Sequence, residues 1–111
     1  MLDVQTTVAD GIAILVLSGR IDAATSDQLD FAAEEGAGGA RRIVLDLAQI
    51  RYVSSAGLRV CLMIAKRLQK VGGKLALCSL SDGVREVFDI AGFSQILTIT
   101  PDRDSAIEAV R

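Results

Sequence analysis

The stretch that most restricts this chain's fold is residues 42–70. There Ile43-Val44-Leu45-Asp46-Leu47 leads through Tyr52-Val53-Ser54-Ser55-Ala56-Gly57-Leu58 into a long apolar-rich segment. The first run is rich in β-branched residues and too short for a helix, whereas Leu58, Cys61, Leu62, Ala65 and Leu68 recur at the three-and-four spacing of one helix face. The pattern predicts a strand, a short loop and a helix. Ser54 and Ser55 then fall at the helix N-terminus, where a side-chain oxygen can accept a hydrogen bond from an unpaired first-turn N–H. Only one of two consecutive serines can be the cap, so the other enters the first turn.

A cap is a sufficient structural reason for a serine here. The neighbours suggest more. Ala56 and Gly57 are small and leave the backbone open to close approach, and the partial positive charge of a helix N-terminus tolerates a phosphoryl group. The site suits a phosphorylatable serine.

The rest of the chain excludes several functions. With 111 residues the expectation is one domain spanning residues 1–111, long enough to bury roughly two thirds of its unfolded surface. A net charge of −2, a pI near 5.0 and an aromatic content of 4% argue against nucleic acid or an anionic membrane as partner. The apolar runs at 12–17 and 60–65 are too short to cross a bilayer, and the N-terminus lacks a secretory pattern, so a cytoplasmic location is expected. Histidine is absent, which removes Ser-His-Asp triads and the commonest zinc sites. Catalysis by Ser55 with Asp22 as base would lack histidine, a suitably spaced lysine or a metal cluster, so neither enzyme activity nor a cofactor or metal is expected. Cys61 and Cys78 have no paired spacing and are expected to be buried free thiols.

Along the chain, Leu2, Val4, Thr6 and Val8 alternate with polar residues, and Asp10-Gly11 is a hairpin-turn pair. Residues 12–17 are apolar throughout and should be buried on both sheet faces. Residues 23–35 read as a helix with Leu29, Ala32 and Ala33 inward, capped by Asp22 or Thr25, and Gly36, Gly38 and Gly39 end it. After the central helix, Gly72-Gly73 turns into a strand at 74–78. Ser81 caps a helix striped by Val84, Val87, Phe88 and Ala91 and ended by Gly92. A last strand at 96–99 precedes a helix with Pro101 at its first position. The fold class is therefore α/β, a mixed sheet of about five strands with about four helices.

The segment 43–58 resembles the signature of the STAS domain, specifically the small stand-alone anti-sigma factor antagonists of bacteria. The likeness takes in Leu17-Ser18-Gly19-Arg20-Ile21-Asp22, Gly72-Gly73-Lys74-Leu75, and residues 84–92 with Phe93. It implies that the unphosphorylated chain binds an anti-sigma factor with serine kinase activity and releases its sigma factor. Phosphorylation at Ser55 would end binding, and a serine phosphatase would restore it. The family's acidic residue near the phosphoacceptor corresponds to Asp22, and Gly57 belongs to the motif; aspartate often precedes the family's phosphoserine, where this chain has Ser54. Alternative outputs are a small-ligand or nucleotide-sensing STAS module, or a switch in a pathway other than transcription.

A partner surface is expected on the flank of the central helix. At about 100° per residue, Arg59, Lys66, Arg67 and Lys70 gather opposite the apolar arc, and Met63 falls among them.

Overall fold

The computed structural model describes residues 1–111, apart from the surroundings of Gly36. Asp10 and Gly11 both adopt left-handed backbone, with φ of 56° and 76°, as a two-residue hairpin turn matched to strand twist requires. They join β1 (Leu2–Ala9) to β2 (Ile12–Ile21) in antiparallel register, Ala9 opposite Ile12. β2 is buried less evenly than expected. Ala13, Leu15 and Leu17 are inside, but Ile14 and Val16 on the other face are only half-buried, because the single helix on that side leaves them partly uncovered.

The expected helix at 23–35 is shorter. Residues 22–25 form a turn, α1 covers Ser26–Phe31, and Ala32–Gly36 continues as a wider π-type turn. Leu29 and Ala33 face inward and Ala32 packs partly against them. Gly38 and Gly39, at φ of 63° and 80°, turn the chain into β3 (Arg42–Val53).

β3 runs well past the expected residue 47. It lies parallel to β2, but the register slips twice: Val16 faces Asp46 and Ser18 faces Gln49, then Gly19 faces Ile50 and Arg20 faces Tyr52. Each slip inserts one extra residue into β3, a bulge. Its buried positions beyond residue 46 are consequently Leu47, Ile50 and Val53, every third residue. The Asp46 carboxylate supports the first bulge by accepting the Ala48 N–H at 3.0 Å.

α2 (Ser55–Lys70) buries Gly57, Leu58, Val60, Cys61, Ile64 and Leu68. Leu62 and Ala65, expected on the inward arc, sit at its edge, and Val60 and Ile64 take the interior instead. β4 (Lys74–Cys78) pairs parallel with Arg42 to Asp46 only. Ser81 caps α3 (Asp82–Ile90) by accepting the Val84 N–H at 3.3 Å. Val84 and Phe88 point inward, whereas Ala91 lies beyond the helix and is exposed, ahead of Gly92 at φ 78°.

β5 (Thr98–Thr100) starts later than expected, since a short 3-10 turn at Phe93–Gln95 leaves Ile96 exposed. The cap of α4 (Arg103–Val110) is Asp102, whose carboxylate accepts the Ser105 N–H at 2.8 Å. Pro101 therefore stands before the cap and not at the first helical position.

The sheet order is β1-β2-β3-β4-β5, antiparallel at the first pair and parallel elsewhere. Leu15, Leu45, Leu47 and Leu77 pack on one face with Cys61, Ile64 and Phe88 of α2 and α3. On the other, Ile12, Val44, Ala76 and Cys78 pack against Ala106 and Val110 of α4. Cys61 and Cys78 are buried free thiols, and burial pushes the Cys61 thiol up to about 12. The mixed five-stranded sheet with four α-helices agrees with the sequence expectation. Among the described residues no helix is long and apolar enough to cross a membrane.

Candidate functional site

The site forms where β2 and β3 end side by side at Ile21 and Val53. The Ser54 N–H donates to the Ile21 carbonyl at 2.9 Å and ties the entrance of α2 to the end of β2. Ser54 is extended, at φ −89° and ψ 176°, and its hydroxyl accepts the Gly57 N–H at 3.2 Å while its carbonyl accepts the Leu58 N–H at 2.9 Å. Ser54 is thus the cap. Ser55 is the first helical residue and is exposed, and its hydroxyl is engaged with no protein group among the described residues. The N–H groups of Ser55 and Ala56 likewise have no protein acceptor among the described residues, as expected for a helix start.

Gly57 sets how closely the helix approaches the sheet. A Cβ there would lie 2.5 Å from the Ile21 carbonyl oxygen and 3.0 Å from both Ile21 Cγ2 and Val53 Cγ1. A bare Cα is what lets α2 begin directly above β2.

Asp22 follows Ile21 and is occupied locally. Its Oδ1 accepts the N–H groups of Ala24 at 3.1 Å and Thr25 at 3.2 Å, and its Oδ2 accepts Arg20 Nε at 3.3 Å. Thr25 stands at the N-cap position of α1 without capping it. Its hydroxyl turns back to accept the Asp22 N–H at 2.9 Å and lies 3.0 Å from the Arg20 carbonyl. Partial loss of solvent pushes the Asp22 carboxyl up, but the bonds from Arg20, Thr25 and Ala24 together outweigh it, and the net pKa falls below the ordinary carboxylate value. Asp22 shapes the turn beside the α2 N-terminus.

A groove of about 230 Å³ opens between α1 and α2 next to Ser55. Ala23, Asp27 and Asp30 line one side, and Ala56, Arg59, Val60 and Met63 line the other. Met63 is 51% exposed, and Arg59 and Lys66 are exposed with no ion pair among the described residues. Arg67, expected among the partner contacts, is already engaged within the chain. Its Nη1 lies 2.7 Å from Asp30 Oδ1 and 4.0 Å from Glu34 Oε2, so it pins α1 to α2. The structure thus brings Ser54, Ser55 and Gly57 to one end of α2, with Arg59 and Met63 along the groove, and leaves Arg67 in an internal pair.

Sequence reasoning missed the acidic side of this groove. A signal was present, since Asp27, Asp30 and Glu34 recur at helical spacing, as do Arg59, Met63 and Arg67. Nothing in the spacing alone says that the two rows face each other.

Residues 3–106 match the family model described as the STAS domain. BtrV of Bordetella bronchiseptica, named as an anti-sigma factor antagonist, is 45% identical over 103 residues, covering 92% of this chain and 89% of that one. The anti-sigma F factor antagonist of Paenibacillus polymyxa is 32% identical over 101 residues, covering 87% and 85%. The fold also matches the crystal structure of an anti-sigma factor antagonist from Mycobacterium paratuberculosis, with a TM-score of 0.88 at 23% identity over 100% of this chain and 95% of that one. The chain therefore belongs to the STAS domain family, among relatives named anti-sigma factor antagonists.

Proposed function

We propose that this chain is an anti-sigma factor antagonist that works in the cytoplasm as a partner switch. Unphosphorylated, it binds an anti-sigma factor with serine kinase activity and releases the sigma factor. Phosphorylated on Ser55, it lets go, and a serine phosphatase restores it. The chain is a binding protein; the chemistry belongs to its partners.

The observation that carries this reading is the division of labour between the two serines. The Ser54 hydroxyl is held by the Gly57 N–H, whereas the Ser55 hydroxyl is exposed and uncommitted, next in the chain to Ala56, which lines the α1–α2 groove. A phosphoryl group adds a charge of about −1.5 to −2. The fold tolerates it there, because the free N–H groups of Ser55 and Ala56 favour an anion and Arg59 follows one turn later. A docked partner would not. Burying that charge against an apolar contact, beside Asp27 and Asp30, costs several kcal/mol, and each 1.4 kcal/mol is about tenfold in affinity. Met63, Arg59 and Lys66 are the proposed partner contacts, a polarisable thioether set among cations, with Asp22, Ser54 and Gly57 holding the switch in shape.

The test is a pull-down of the serine kinase partner with the purified chain and its variants. Ser55→Ala should stay bound in the presence of ATP, Ser55→Asp should bind poorly, and both should melt like the parent. Phosphate found on Ser54 by mass spectrometry would refute the assignment.

A further inference from the structure

A wider hollow, of about 860 Å³, lies at the same end of the sheet but on the face that α4 covers. α4 reaches only as far as Asp46, where Arg103 Nη2 pairs with Asp46 Oδ2 at 2.7 Å. Beyond that point β2 and β3 continue without a helix over them. Ser18 and Arg20 of β2 and the bulged segment Ala48 to Tyr52 of β3 line the hollow, which reaches Ser81. β4 pairs with β3 only as far as Cys78 opposite Asp46. From Leu47 onward β3 has β2 on one side and no strand on the other among the described residues.

The chemistry of the lining is one-sided. Its charged side chains are Arg20 and Arg51, with no carboxylate, in a chain whose net charge is −2. Arg20 is held in place: Nε bonds Asp22, and the guanidinium stacks 4.5 Å from the centre of the Tyr52 ring. Its side chain is still 55% exposed, and Nε is the one guanidinium nitrogen bonded to a protein group among the described residues. Arg51 is exposed and makes no ion pair among the described residues. Ser18 and Gln49 add uncharged hydrogen-bonding groups.

We infer that this hollow docks an acidic, extended segment of the protein that binds at the Ser55 end, an inference that rests on the partner-switch reading. Charge complementarity selects an acidic occupant. The unpaired edge of β3 and the open shape select an extended chain, which gains main-chain hydrogen bonds at a sheet edge, over a small anion, which favours an enclosed site. Ser55 and the hollow are then two parts of one interface joined through Tyr52, and the cations of the hollow give the partner its orientation.

The sequence contains one tyrosine and no tryptophan, so the intrinsic emission of the chain reports on Tyr52. Titration with an end-capped glutamate oligopeptide should change that emission and shift the amide resonances of residues 18–20 and 48–52. The affinity should fall as salt rises. Arg51→Glu should weaken it at least tenfold, whereas Arg42→Glu, the same charge change at the other end of β3, should leave it unchanged. An equal response to a lysine oligopeptide, or equal losses from the two variants, would overturn the proposal. Displacement of the peptide by ATP or inorganic phosphate at comparable concentration would overturn it in favour of a small-anion site.

With the anti-sigma factor kinase as ligand, tenfold weaker binding of both Arg51→Glu and Ser55→Asp is expected. Loss with Ser55→Asp alone would remove the hollow from the interface and leave the switch standing. Loss with Arg51→Glu alone would keep the hollow and remove the switch.

Discussion

Replacing Gly57 with alanine separates two physical expectations of opposite sign. Gly57 lies in the first turn of a helix and its φ is not positive, so helix propensity alone predicts that alanine stabilises by up to about 1 kcal/mol. The structure predicts the reverse. The new methyl would sit 2.5 Å from the Ile21 carbonyl oxygen, closer than non-bonded atoms sit, and the obstacle is backbone that cannot rotate away. Overpacking of this kind costs about 1 to 3 kcal/mol, and a rigid neighbour places it at the upper end. Relief requires lifting the start of α2, which strains the Ser54–Ile21 and Gly57–Ser54 hydrogen bonds, the cap itself being worth about 1 kcal/mol. The net expectation is a loss of about 2 to 3 kcal/mol, or a fall in Tm of roughly 10 °C for a domain of this size. Urea titration followed by far-UV circular dichroism measures it directly. A variant as stable as the parent, or more so, would refute the argument that helix-to-sheet contact fixes this glycine.

Three further outcomes follow from the described contacts. Asp22 has a depressed pKa, so its contribution is present above the unfolded carboxylate pKa and is lost as pH falls through the lower folded value; Asp22→Asn should flatten the acid limb of the stability curve. Asp89 and Asp102, also depressed, keep some slope in the variant, and parallel curves for the two proteins would exclude a part for Asp22. Arg67→Glu removes the Asp30 pair and sets like charges together, so the unfolding midpoint should fall by the equivalent of about 1 to 2 kcal/mol, more than for Arg67→Met. Burial holds Cys61 near 12 and raises Cys78, so a disulfide-exchange reagent should modify neither thiol in the native protein and both in denaturant; prompt native reaction of either would contradict the packing.

Local chemistry was legible in the sequence wherever adjacent residues decide the outcome. Asp10-Gly11 specifies its turn, the spacing of Leu58, Cys61 and Leu68 specifies a helix, and Ser81 specifies its cap. The second half of β3 was not legible, because two bulges replace a period of two by a period of three at Leu47, Ile50 and Val53. The start of α1 was misplaced because the Asp22 and Thr25 side chains bind the turn before it and do not begin a helix. Pro101 falls outside the helix and not at its first position, because Asp102 caps α4 with a carboxylate that accepts the Ser105 N–H. At the site, the motif pointed to Ser55 as the phosphoacceptor, while the spacing left the cap open between two serines. Deciding which of them caps α2 required the bond from the Gly57 N–H to the Ser54 hydroxyl, and the partner of Arg67 required knowing which helix lies beside α2.

The bulges in β3 also give the chain slack where the site is built. Between Asp46 and Val53, β3 uses two residues more than β2 does between Val16 and Ile21, and the bulges absorb that surplus, so that the strands finish level and Ser54 meets Ile21. Deleting one bulged residue would restore a regular ladder locally and leave the pairing beyond it, and so the helix start, in place. Deleting a residue from the stretch Arg42 to Asp46, where pairing is one to one with both neighbouring strands, would slip the register and turn side chains to the other face. Changes of length should therefore be tolerated far better at 47–52 than at 42–46.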